Sequence, residues 1–162
     1  MSGKISPWQQ LIIDIKQLNM KKFTLVLFLI AAVFTAKAQN QPVDKGITML
    51  TEFYKAYISV SSNEQMDLKV MEAKLTALRR NNLTKACQKQ FTELIEETDG
   101  DPIIKAQDTY KELLKTLVIK KDVKKSNRYL VTYTDIAGSR QKTTIYVTLA
   151  MQGNNLKIAY LE

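Results

Sequence analysis

Residues suited to strands alternate with polar ones from Lys115 to Glu162, and three turn-like clusters interrupt the alternation. Tyr129, Val131 and Tyr133 share one face of a pleated chain, and Leu130, Thr132 and Thr134 share the other. Thr143, Ile145, Val147, Leu149 and Met151 repeat the period of two, as do Leu156, Ile158 and Tyr160. Asp135 to Gly138 and Gln152 to Asn155 join these runs with residues that tolerate hairpin loops. An earlier run, Leu117-Val118-Ile119, reaches the first of them through Lys121 to Asn127. Connections this short make neighbours antiparallel, so the pattern predicts a four-stranded meander with one apolar face.

Upstream the apolar period lengthens. Ile47, Leu50, Tyr54, Tyr57 and Ile58 recur at steps of three and four, the stripe of an amphipathic helix that Asp44 is placed to cap. Ser61, Ser62 and Asn63 end it and offer a start for a second helix, with Leu68, Met71, Leu75 and Leu78 on one face. Asn81 and Asn82 break the chain before a third helix, Leu83 to Thr98, whose inner side carries Leu83, Ala86, Cys87, Phe91, Leu94 and Ile95. Asp99-Gly100-Asp101-Pro102 supplies stop and turn chemistry, and Ile103-Ile104 is an apolar pair within a loop. A short helical turn over Thr109 to Leu114, capped by Asp108 and pointing Tyr110 and Leu113 inward, then delivers the chain to the first strand. Helices followed by strands predict an α+β domain: N-terminal helices packed on one face of a curved four-stranded antiparallel C-terminal sheet. Such a cone often holds a pocket, which Leu117, Tyr133, Ile145 and Ile158 are equally able to fill.

The N-terminal segment changes the expected address. Met20-Lys21-Lys22, an uncharged stretch of 14 residues from Phe23 to Ala36, and Ala36-Lys37-Ala38 match the three parts of a secretory signal peptide. A membrane span needs about 20 apolar residues, so the stretch is too short for an anchor. Cleavage between Ala38 and Gln39 leaves residues 39–162 as one α+β domain in the periplasm or outside the cell, with 20–38 as leader and 1–19 as untranslated sequence or extra leader. That mature part holds 19 basic and 15 acidic residues, so the +8 of the whole chain falls to +4, too mild to argue for nucleic acid. Contact with a membrane is then confined to export.

Lys120, Lys121, Lys124, Lys125 and Arg128 cluster around one hairpin. They read as a solvated loop that discourages edge pairing, or as a binding surface for an acidic partner or a phosphate. A single cysteine, Cys87, leaves no internal disulfide, and its helical spacing among apolar residues makes it a buried small hydrophobe. Stability therefore rests on the core.

Histidine is absent, which removes the commonest general base and zinc ligand. The scattered glycines form no phosphate-binding loop. A carboxylate base with a tyrosine donor survives this exclusion, and its candidates are Asp108 and then Asp101, with Tyr54, Tyr57 or Tyr129. Against it stands the plainer reading of Asp108 as a helix cap and of the tyrosines as packing residues. Glu93, Glu96, Glu97, Asp99 and Asp101 form an acidic run without the alternating ligands of a calcium loop, so no metal and no cofactor is expected.

Asp101-Pro102-Ile103-Ile104-Lys105-Ala106-Gln107-Asp108, followed by Leu114-Lys115-Thr116-Leu117 and Tyr129-Leu130-Val131-Thr132-Tyr133, resembles the exported bacterial family known as domain of unknown function 3828. Leu83 to Cys87 resembles the segment ahead of that family's third helix, and the likeness covers most of Leu83 to Leu161. Where the family carries aromatic residues near the Asp-Pro, this chain has Gly100 and Ile103. The resemblance implies membership of the nuclear transport factor 2-like, cystatin-like superfamily, which hosts isomerases, dehydratases, binding modules and scaffolds. The leading expectation is a small exported binding or interaction module for a peptide, a small apolar ligand or an envelope protein. A cone-pocket enzyme using a carboxylate and a tyrosine is the alternative, and an inhibitor or immunity protein the third.

Overall fold

A computed structural model of the chain describes residues 44–98, 100–136 and 140–162. The leader-like segment, its Ala38/Gln39 junction and Gly138 of the second hairpin lie outside these residues. Asp44 caps α1 (Lys45–Ser61) as its position suggests: its Oδ1 accepts from the amides of Gly46 at 2.8 Å and Ile47 at 3.2 Å. The helix buries Leu50, Phe53, Tyr54, Tyr57 and Ile58 along one stripe. Its end is where Ser61 to Asn63 place it, but the next helix does not start there. Asn63 spends its carbonyl and side chain on a local turn, accepting from Met66 and Gln65, and Asp67 caps α2 (Leu68–Asn82) instead. In α2 only Leu75 is buried, Met71 and Leu78 are partly so, and Leu68 is 78% exposed because it sits in the first turn, outside the core.

The third helix, α3 (Lys85–Thr98), begins later than its apolar spacing suggests. Leu83 is extended and forms a parallel bridge with Ile158, while the Thr84 amide donates to the Ile158 carbonyl at 2.8 Å. Thr84 Oγ1 then accepts from the Cys87 amide. Cys87 and Phe91 face the core, whereas Ala86 and Ile95 do not. The short helix also shifts: α4 spans Leu113–Thr116, and its first residues close on the carbonyls of Tyr110, Lys111 and Glu112. Asp108 lies too far upstream to cap it, and Tyr110, expected inside, is 42% exposed. Leu113 is buried as expected.

The sheet is an open antiparallel meander of β1 (Val118–Lys121), β2 (Arg128–Thr134), β3 (Lys142–Gln152) and β4 (Asn155–Leu161), paired in chain order. The fold is therefore α+β, with helices preceding a C-terminal sheet. Gly153, at φ +60, takes the first position of the two-residue loop between Gln152 and Asn155. One face buries Tyr129, Val131, Tyr133, Ile145, Val147, Leu149 and Ile158 beneath the helices. Alternation fails once. Thr148 pairs with Tyr160 and Leu149 with Ile158, so Ala159 is an extra residue that turns Tyr160 out and Leu161 in. Met151, past the helices' reach, is exposed. The outer edge of β4 is covered by Gln90 of α3, whose side chain accepts from the Leu161 amide at 3.1 Å and donates to its carbonyl at 2.8 Å.

Tyr133, Ile145 and Ile158 lie within this packed core, and Leu117 packs against it. The inner face of the sheet is filled along these residues, and the clefts that bear on function lie elsewhere.

Candidate functional site

The turn chemistry of Gly100 to Gln107 builds a small closed loop between α3 and α4. The Asp101 amide donates to the Ala106 carbonyl at 3.1 Å and the Ile104 amide to the Asp101 carbonyl at 3.2 Å. Closing so short a loop places Lys105 at φ 44, a left-handed conformation that few side chains adopt. Pro102, Ile103 and Ile104 are buried, so the apolar pair is a peg driven into the core. The Tyr133 hydroxyl donates to the Ile104 carbonyl and fastens it there.

Asp101 is the residue through which the loop is tied to the helices. Its Oδ1 accepts from the Ile103 amide at 2.8 Å, and its Oδ2 accepts from the Tyr57 hydroxyl at 2.5 Å. That hydroxyl in turn accepts from Arg79 Nη1 at 3.2 Å, and Arg79 Nη2 reaches Glu72 and Thr76 on its own helix. The guanidinium lies 4.7 Å from the Phe91 ring centroid, a cation over an aromatic face. One hydrogen-bonded line thus runs from α2 through α1 to the loop.

Burial governs the electrostatics of this line. It holds the Asp101 carboxyl above the usual range, although Tyr57, the Ile103 amide and Arg79 all favour the ionised form. Burial and the neighbouring Asp101 charge push the Tyr57 phenol far up, so it remains a proton donor. Tyr54 is fully buried one helical turn earlier, and its hydroxyl has no hydrogen-bond partner among the described residues. Burial and then Asp101 push that phenol up as well. The three rings of Phe53, Tyr54 and Tyr57 pack together, Phe53 lying 5.4 Å from Tyr54 and 5.6 Å from Tyr57.

Two clefts flank the loop and share Gly100, Asp101 and Gln107 in their walls. The first, of about 510 Å³, is apolar, lined by Leu94 and Thr98 of α3, Pro102 and Ala106 of the loop, and Leu161 of β4. Lys105 and Glu162 also line it. The second, of about 530 Å³, is more open and polar, with Glu72, Arg79, Phe91 and Ile95 in its walls.

Among the catalytic candidates, Asp101, Tyr57 and Tyr54 come together and Asp108 and Tyr129 do not. Asp108 is exposed after the loop. Tyr129 donates to Asp44 Oδ1 at 2.9 Å, at the other end of α1, about 20 Å along the helix from Tyr57. There burial, with help from Asp44, raises the Tyr129 phenol to about 12. Burial alone raises the Cys87 thiol to about 11, in keeping with its expected packing role.

The basic cluster is dispersed by the pleat. Lys121 turns to Asp44 at 3.1 Å, while Lys120 projects from the opposite face. Arg128 is committed to Asp122 at 2.5 Å and lies over the Tyr146 ring at 4.8 Å. Lys124 and Lys125 remain exposed in the β1–β2 loop. The acidic run is broken in the same way: Glu93 pairs with Lys89, Glu96 and Glu97 face solvent, Asp101 turns inward, and Asp99 lies outside the described residues. No group of three metal-ligating side chains forms among the described residues.

Arg79 and Glu72 escaped the sequence reading, and Gln107 entered it only as part of the family-like segment. Glu72, Thr76 and Arg79 stand at i, i+4 and i+7, and that shared helix face was the available signal.

No model of a known protein family matches the chain, and no curated protein does. Among solved structures, the chain is similar to a protein of unknown function from Bacteroides thetaiotaomicron VPI-5482, solved by crystallography at 2.10 Å resolution. The two are 29% identical with a TM-score of 0.66, over 83% of this chain and 98% of that one.

Proposed function

We propose that this is a small exported binding module without catalysis, in which the groove between α3 and the Asp101 loop receives the apolar part of a small ligand or peptide. The groove itself carries the reading: about 510 Å³ walled by Leu94, Pro102, Ala106 and Leu161 lies within the size range of ligand sites. Asp101, the polar group beside it, has both oxygens engaged by the chain's own donors, which suits a loop brace better than a free base. Export rests on the three-part leader of residues 20–38. Membership of the domain of unknown function 3828 family and of the nuclear transport factor 2-like superfamily belongs to the same proposal, resting on the Asp-Pro and Ala-Gln-Asp elements.

Fluorescence of 1-anilinonaphthalene-8-sulfonate tests the groove. Saturable binding should be lost in Ala106→Trp, which fills the space, and in Leu94→Glu, which sets a like charge against the dye's sulfonate. Binding that survives both substitutions would overturn the reading.

A second reading has one observation in its favour. Asp101 carries a raised pKa, touches Tyr57 and lines both clefts, the placement a proton-transfer pair needs. Exchange of α-protons of simple ketones into deuterated water, lost in Asp101→Asn while dye binding persists, would favour this enzyme over the binding module.

A further inference from the structure

The face of the sheet turned away from the helices has a composition of its own. From β1 to β4 it presents Val118 and Lys120, then Leu130 and Thr132, then Thr144, Tyr146 and Thr148, then Lys157 and Tyr160, as the pairing register dictates. Val118, Tyr146 and Tyr160 are exposed on this face. Around this centre stand Lys120, Lys142 and Lys157, none of them in an ion pair among the described residues. Arg128 lies over Tyr146, is paired with Asp122 at 2.5 Å and reaches Glu162 at 3.4 Å, so four bases meet two acids and the three lysines are left in excess.

From this geometry we infer that the open sheet face is a docking surface for an acidic protein segment. An aromatic and hydroxyl-rich centre with a charged rim is the anatomy of a protein interface, and the excess of base selects the sign of the partner. A second copy of this face repels it, basic against basic. Residues 1–43 are no better suited, with five lysines and one aspartate. Size sets the strength. Four strands at about 4.8 Å spacing and seven residues at about 3.3 Å give a face of roughly 450 Å² in projection. A stable interface takes about 800 Å² from each partner, so this contact is transient and falls with salt.

The test uses a twelve-residue peptide repeating Glu-Tyr-Glu-Val, its glutamine counterpart, and phosphatidylglycerol vesicles, each titrated into the isotope-labelled chain. The acidic peptide should shift the amides of Thr132, Thr144, Tyr146 and Tyr160. The triple variant Lys120→Glu, Lys142→Glu, Lys157→Glu should bind it about tenfold more weakly, three exposed pairs being worth a few tenths of a kcal/mol each and their repulsion adding to that. The glutamine peptide should bind weakly or not at all. Equal binding of both peptides, shifts confined to other surfaces, or binding of vesicles in place of the peptide would each overturn the proposal. Ala106→Trp, which fills the groove, should leave peptide binding unchanged, and loss of binding in that variant would also overturn it.

Discussion

Replacing Gly46 with alanine should destabilise the protein, against the usual gain of alanine over glycine in a helix. Gly46 lies in the first turn of α1, where its missing side chain lets the Tyr129 ring of β2 come down on the backbone. A Cβ built there would sit 2.2 Å from the Tyr129 hydroxyl oxygen and 2.3 Å from the ring carbon that bears it. Ordinary contact is about 3.5 Å, so the ring must retreat by more than about 1 Å. It has little room, being 5% exposed, and its hydroxyl is bonded to the same Asp44 oxygen that caps the helix. Overpacking costs about 1–3 kcal/mol and the loss of a hydrogen bond to a carboxylate about 1.5–3. Helix propensity returns about 1 kcal/mol. The net loss is about 1.5–5 kcal/mol, a fall in Tm of roughly 6–20 °C for a domain of this size. Urea denaturation followed by circular dichroism measures it, with Tyr129→Val as the background in which Gly46→Ala becomes harmless. A Gly46→Ala protein as stable as the parent would refute this account of how α1 docks on the sheet.

Other expectations follow from the buried tyrosines and Asp101. Tyr54→Phe deletes a buried hydroxyl without a partner among the described residues, so it should be neutral or stabilising by up to about 1 kcal/mol in urea denaturation. Tyr57→Phe removes the 2.5 Å donor to Asp101 and should cost about 2 kcal/mol, and the Asp101 carboxyl, followed by carbon-13 NMR, should titrate at still higher pH. Because burial raises the folded pKa of Asp101 above its ordinary 3.8, the folded chain holds this proton more tightly than the unfolded one. Its contribution to stability is complete below 3.8 and is lost as pH rises through the folded value. Urea midpoints at pH 4 and pH 7 should therefore show the parent gaining on Asp101→Asn as the solution is acidified.

Strand alternation was legible because a sheet covered on one side writes its burial directly into every second residue, as in Tyr129, Val131 and Tyr133. It failed at Tyr160, since one inserted residue, Ala159, reverses the sides and no local composition marks a bulge of this kind. Helix stripes read well where a helix lies flat on the core, as α1 does, and poorly for α2, which buries a single residue. Caps were ambiguous because Asn63, Asp67 and Asp108 all have the right chemistry, and only the path of the chain decides between turn and cap. The site was half visible for a similar reason. Asp101 and Tyr57 were among the candidates, yet they are 44 residues apart and nothing local said that they meet. Arg79 was hidden because it stands beside Arg80 near a helix end, where arginines ordinarily face water.

The groove is tested most directly by a residue-resolved NMR titration with 1-anilinonaphthalene-8-sulfonate. The amides of Leu94, Thr98, Gly100, Asp101, Ile103 to Gln107 and Leu161 should shift together along one saturating curve, leaving α2's outer surface and the hairpin tip at Gly153 unmoved. Shifts scattered over the surface without saturation, or centred away from the Asp101 loop, would contradict a binding site there.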